Sequence, residues 1–115
     1  MTPLRKLQAI FQTLADYNRL NMIKSIGDKE CPVGEIVRIT GLSQPLVSHH
    51  LRTLKENGFL ETKREGPFIY YYLRDKQILV ALDIFLEIFR NTDIQVGPEF
   101  RFCPEWMMKR FKNLK

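Results

Sequence analysis

Ligands for a transition metal are scarce in this chain, which has two histidines and two cysteines among 115 residues. The histidines, His49 and His50, are adjacent and far in sequence from Asp83 and Glu87, an acidic pair one helical turn apart. Oxygen atoms alone would hold an ion there weakly, so a solvated charged stripe is the plainer reading, and neither a metal nor a cofactor is expected. A glycine-rich phosphate loop is missing, as is a nucleophile set between a base and an orienting acid. The nearest arrangement, Ser48 beside His49, points outward along one helix rather than into a cleft, and the chain is not expected to be an enzyme.

Long hydrophobic runs are absent as well. The segment Gln77 to Phe89 is apolar around most of its circumference, but Asp83 and Glu87 interrupt it before the about 20 residues a membrane span requires. A helix so apolar must pack on two sides, against its own domain and against a second subunit. The alternative is that it completes the core of a monomer and the C-terminal residues cover the rest. No signal peptide, low-complexity tract or internal repeat is visible, and a cytoplasmic protein with reduced cysteines is expected.

What is present centres on Gly41 to Leu54, GLSQPLVSHHLRTL. Ser43 is a good N-cap, and Pro45 falls in the first turn, where its missing N–H costs nothing. The helix is expected over Gln44 to Asn57. Val47, Leu51 and Leu54 form an inward stripe, while Pro45, Ser48, His49 and Arg52 lie on the opposite, polar side. Short hydrogen-bonding groups on such a face suit base edges in a major groove. His50 lies on the flank of the inward stripe and reads as a packing residue. Upstream, Val33 to Thr40 reads as a short helix with Ile36 and Val37 inward and Ile39 a third candidate, ended by Gly41; the pair makes a helix-turn-helix. Downstream, Phe59 to Glu65 and Phe68 to Leu73 read as two strands around a Gly66-Pro67 turn, a β-wing with Lys63 and Arg64 at its tip. Alternation puts Ile69, Tyr71 and Leu73 on the expected core face.

Three blocks, LADYNRL (Leu14 to Leu20), SQPLVSHHL and the wing ending IYYYL, together resemble the ArsR/SmtB family of winged-helix repressors over about Leu4 to Phe89. The resemblance implies an α+β winged helix-turn-helix homodimer that binds double-stranded operator DNA of two-fold symmetry and releases it when an effector binds. Subunits would meet through the first helix, with its stripe Leu4, Leu7, Ile10, Phe11 and Leu14, and the last long helix. The candidate DNA contacts are Ser43, Gln44, Pro45, Ser48, His49 and Arg52 on the helix and Lys63 and Arg64 on the wing. A net charge of +5 agrees with an acidic partner.

Metal-sensing members of that family carry a CxC pair before the first helix of the helix-turn-helix. Here the matching residues are Pro32, Val33 and Gly34, with Cys31 one position early, so that site is absent. Cys31 and Cys103 have two readings, a thiol sensor or small hydrophobic fillers; Arg101, Lys109 and Arg110 near Cys103 would raise its reactivity. Residues 1–92 are expected to form the DNA-binding and dimerisation domain. Residues 93–115 read as a C-terminal extension whose Phe100, Phe102, Trp106, Met107, Met108 and Phe111 either pack on the dimer or line an apolar ligand pocket. Two functional alternatives stay open: a constitutive or apolar-ligand-responsive regulator, and a winged helix used only for protein contacts.

Overall fold

The computed structural model describes residues 1–95. The chain divides into two units, Met1–Ile84 and Phe85–Lys115, and the expectations placed on Cys103 and the aromatic tail lie outside the described residues.

Helix α1 (Pro3–Leu14) opens on Thr2, whose hydroxyl accepts the Arg5 N–H at 3.2 Å. Helix α2 (Tyr17–Ile26) is capped by Asp16, whose carboxylate accepts the Arg19 N–H at 3.1 Å. Arg19 Nε in turn donates to the Thr13 carbonyl at 2.6 Å. These bonds satisfy groups that the two helix ends would otherwise leave orphaned, and they give the LADYNRL block a structural role at the α1–α2 junction.

A two-residue strand, β1 (Cys31–Pro32), precedes α3 (Val33–Thr40) and α4 (Gln44–Glu56). Gly41, at φ 70° and ψ 9°, closes α3 in the left-handed region, where a side chain would be strained. Ser43 then caps α4, its hydroxyl accepting the Leu46 N–H at 3.4 Å. The helix-turn-helix therefore begins and ends where the capping residues place it, with Asn57 as the C-cap of α4.

Strands β2 (Leu60–Glu65) and β3 (Phe68–Leu73) pair antiparallel, Leu60 opposite Leu73 and Glu65 opposite Phe68. Gly66, at φ 60°, opens the two-residue turn between them. The expected two-stranded wing is in fact part of a three-stranded sheet, order β1-β3-β2, because Cys31 and Pro32 pair with Tyr71 and Tyr70. The α+β winged architecture stands, with the third strand tying the wing to the start of α3.

Met22, Ile23 and Ile26 of α2, Ile36 of α3, Val47, Leu51 and Leu54 of α4, and Leu60 and Leu73 of the sheet form the core. Two expected core residues lie outside it: Ile39 is 41% exposed and Ile69 is 40% exposed. Ile39 lies at the edge of the α3 side that carries Ile36 and Thr40, beyond the reach of the core, and Ile69 lies near the free end of the hairpin, away from the buried Leu73. On α1, Ile10 and Leu14 pack against the core, but Leu4, 78% exposed, and Leu7 do not. Helix α5 (Gln77–Ile88) behaves similarly within the first unit: Ile78, Leu79 and Leu82 pack inward, whereas Val80 and Ile84 face solvent. Lys24 on α2 pairs with Asp83 at 3.1 Å. In the second unit Glu87 pairs with Arg90 at 3.2 Å. No described helix is long and apolar enough to cross a membrane.

Candidate nucleic-acid interface

Burial of Val47, Leu51 and Leu54 fixes the rotation of α4 and leaves its other side uncovered. Ser43, Gln44, Pro45, His49 and Arg52 are exposed there, and Ser48 is half-buried. All six candidate residues of the helix thus lie at its N-terminal end or along one outer ridge, although the Ser43 hydroxyl is already engaged as the helix cap. A residue not singled out from the sequence extends that ridge: Lys55, three positions beyond Arg52, donates through Nζ to Thr62 Oγ1 of β2 at 3.2 Å. The spacing Ser48, Arg52, Lys55 would have indicated the shared side; the strand partner could not be read from it.

That hydrogen bond shows which sheet face turns toward the ridge. Thr62 and Arg64, two apart on β2, share that face. Lys63 lies on the other face, where it pairs with Glu65 at 3.0 Å and Glu30 at 3.5 Å. The hydrogen bond to Glu65 and the nearby Glu30 charge hold the Lys63 ammonium above its ordinary pKa, so it is a firmly charged but already compensated cation. Of the two wing cations, Arg64 is exposed and forms no ion pair among the described residues. Beneath the hairpin, a shallow cleft of about 380 Å³ is bounded by Lys55, Gly58, Leu60, Glu61, Thr62 and Arg74. Tyr72 donates its hydroxyl to Glu61 at 3.0 Å on the far side of the sheet.

His50 occupies the position the helix geometry assigns it. It is 6% exposed, its ring stands 5.6 Å from that of His49, and its Nδ1 has no hydrogen-bond partner among the described residues. Burial pushes its imidazole below the ordinary 6.5, against the opposing pull of Asp16. Because the folded protein binds this proton less readily than the unfolded chain, neutral His50 contributes stability above 6.5 that is lost as the pH falls from there through the lowered folded value. The melting temperature should therefore fall as the pH is lowered from 6.5, and less steeply in His50→Gln; parallel curves for the two proteins would refute it.

Cys31 is buried in β1, and burial together with the Glu35 charge pushes its thiol above 9.0. Such a thiol is a poor nucleophile and a good core filler. Asp83 pairs with Lys24 and Glu87 with Arg90, and among the described residues no cluster of three metal-binding side chains occurs.

A helix-turn-helix whose second helix exposes a polar ridge beside a β-hairpin defines a winged helix-turn-helix domain. The family model for bacterial regulatory proteins of the arsR family matches residues 16–62. The chain is 31% identical over 87 residues to an uncharacterized HTH-type transcriptional regulator of Methanocaldococcus jannaschii, covering 72% of this chain and 98% of that protein. It is 29% identical over 79 residues to the cadmium resistance transcriptional regulatory protein CadC of Listeria innocua, covering 68% of this chain and 66% of that protein. Among solved structures it resembles the homodimeric winged helix-turn-helix DNA-binding domain, fragment 1-100, of a Mycobacterium bovis protein, with 25% identity, a TM-score of 0.67 and coverage of 82% of this chain and 89% of that one. The chain belongs to the arsR family, and its family and fold are those of transcriptional regulators rather than enzymes.

Proposed function

We propose that the protein is a transcriptional repressor that binds double-stranded operator DNA in a sequence-dependent way, as a homodimer reading two symmetric half-sites. The observation that carries this reading is the outer ridge of α4, polar and uncovered, held rigidly by its buried inner stripe beside the hairpin. Gln44, His49 and Arg52 meet bases or adjacent phosphates, with Ser43, Pro45 and Ser48 fitting the helix end against the duplex. A module for protein contacts would more often display large apolar anchors on this helix. On the wing, Arg64 is the principal phosphate contact and Lys63 a minor one, since Glu30 and Glu65 already compensate its charge.

The second copy is argued from the uncovered apolar residues of α1 and α5, Leu4, Leu7, Val80 and Ile84, and from the homodimeric state of the similar Mycobacterium bovis domain. An effector would release DNA by favouring a dimer geometry that misplaces the two α4 helices relative to successive grooves. Burial of Cys31 moves any thiol-based release to Cys103. Two clefts among the described residues are rimmed by charged side chains such as Lys55, Arg74, Lys29 and Glu30, which disfavours an apolar ligand there.

Fluorescence anisotropy on a duplex enriched from a random pool by the purified protein tests this reading. Gln44→Ala and His49→Ala should each cost about 1–3 kcal/mol on the enriched duplex and little on random DNA. Arg64→Ala should weaken both duplexes alike and flatten the salt dependence, with Lys63→Ala doing so less. Equal losses on both duplexes for the helix variants would refute base reading, and an absence of any enriched sequence would favour a protein-contact module.

A further inference from the structure

The tip of the hairpin is built unlike a phosphate clamp. Along β2, Glu61 and Glu65 cancel Lys63 and Arg64 in number, and Lys63 is paired with Glu65 and Glu30, whereas Arg64 forms no ion pair among the described residues. Beside these charges the tip also exposes apolar side chains. Phe68 is 58% exposed opposite Glu65, Ile69 is exposed opposite Arg64, and Pro67 stands exposed in the turn between the strands. More than half of the Phe68 surface stays open to solvent and neither residue belongs to the core, so packing within the domain leaves much of this apolar surface uncovered. The hairpin is also held in position: its base enters the core through Leu60 and Leu73, Cys31 and Pro32 pair along β3, and Lys55 of α4 bonds Thr62.

We propose that this tip is an apolar wedge. Phe68, next to Pro67 of the turn, enters a base step in the minor groove flanking the sequence that α4 reads, while Arg64 and Ile69, on the opposite face of the hairpin, lie along the adjoining phosphate or groove edge. The inference rests on the DNA-binding reading above and adds to it a mode of recognition. Phenylalanine, isoleucine and proline are the side chain types that separate stacked base pairs, and such insertion kinks the duplex toward the major groove. Sequence preference then extends to base steps that unstack cheaply, without any hydrogen bond to them. An arginine beside the wedge is suited to the negative potential of a narrow groove.

The test uses the full chain and the duplex it enriches, carrying a donor and an acceptor dye at its two ends. Wild-type protein should shorten the end-to-end distance. Phe68→Ala, a change at an exposed position, should bind about tenfold more weakly and leave the duplex straight, from the loss of one aromatic–base stack. Phe68→Leu, which keeps an apolar wedge, should retain the bend. A Phe68→Ala protein that binds and bends like wild type would overturn the wedge while leaving base reading by α4 intact. A weaker dimer with unaltered bending would also overturn it, by assigning Phe68 to a contact between copies. Failure of the wild-type protein to enrich any sequence would overturn both readings together.

Discussion

Ile84→Asp is expected to leave the protein monomeric and to weaken operator binding by roughly a hundredfold or more, because two half-sites would then be met by two independent molecules instead of one linked pair. In the isolated chain Ile84 faces water on the side of α5 opposite Ile78, Leu79 and Leu82. Leu4, Leu7 and Val80 are likewise uncovered. Covering the surface that each such side chain still exposes contributes on the order of 1 kcal/mol, and a carboxylate placed among them would be desolvated without a partner. The stability of the protomer's own core should change little, since Ile84 is not part of it. Sedimentation equilibrium with anisotropy on the enriched duplex measures both effects. A dimer that survives Ile84→Asp together with Leu7→Asp would place the subunit contact elsewhere.

Leu51→Ala should remove about 2–5 kcal/mol of stability, the usual cost of emptying a fully buried leucine site. Leu51 is wholly buried at the middle of the inward stripe of α4, in one cluster with Met22, Ile26, Ile36 and Leu54. The cavity would lie directly beneath the outer ridge of α4 proposed to meet DNA, so DNA affinity should fall along with stability although Leu51 itself is buried. Urea unfolding at fixed protein concentration gives the stability. A loss below about 1 kcal/mol would mean that the site collapses without penalty and that α4 is held chiefly by other contacts.

The elements that carry these predictions were legible because their signals are local. Ser43 with Pro45 fixed where α4 starts, Gly41 where α3 stops, and Gly66-Pro67 where the hairpin turns; each depends on bonds or dihedral angles within a few residues. Periodicity likewise assigned the sides of α4 correctly. It was less informative on α1, α3 and β3, because it tells which side of an element a residue is on and not whether the core extends that far. Ile39 and Ile69 are exposed for that reason. Contacts between distant segments were out of reach: the two-residue strand Cys31–Pro32 exists only by pairing with Tyr70 and Tyr71, and the compensation of Lys63 by Glu30 joins residues far apart in the chain. The same limit hid the bond between Lys55 and Thr62.

That last bond would limit the DNA that the proposed helix and hairpin contacts can accept. With α4 sharing a core with Leu60 and Leu73 and pinned to β2 through Lys55, helix and hairpin form a caliper of fixed opening. Such a caliper cannot stretch to follow an extra base pair inserted within a half-site, so insertions there should abolish recognition while base substitutions merely erode it position by position.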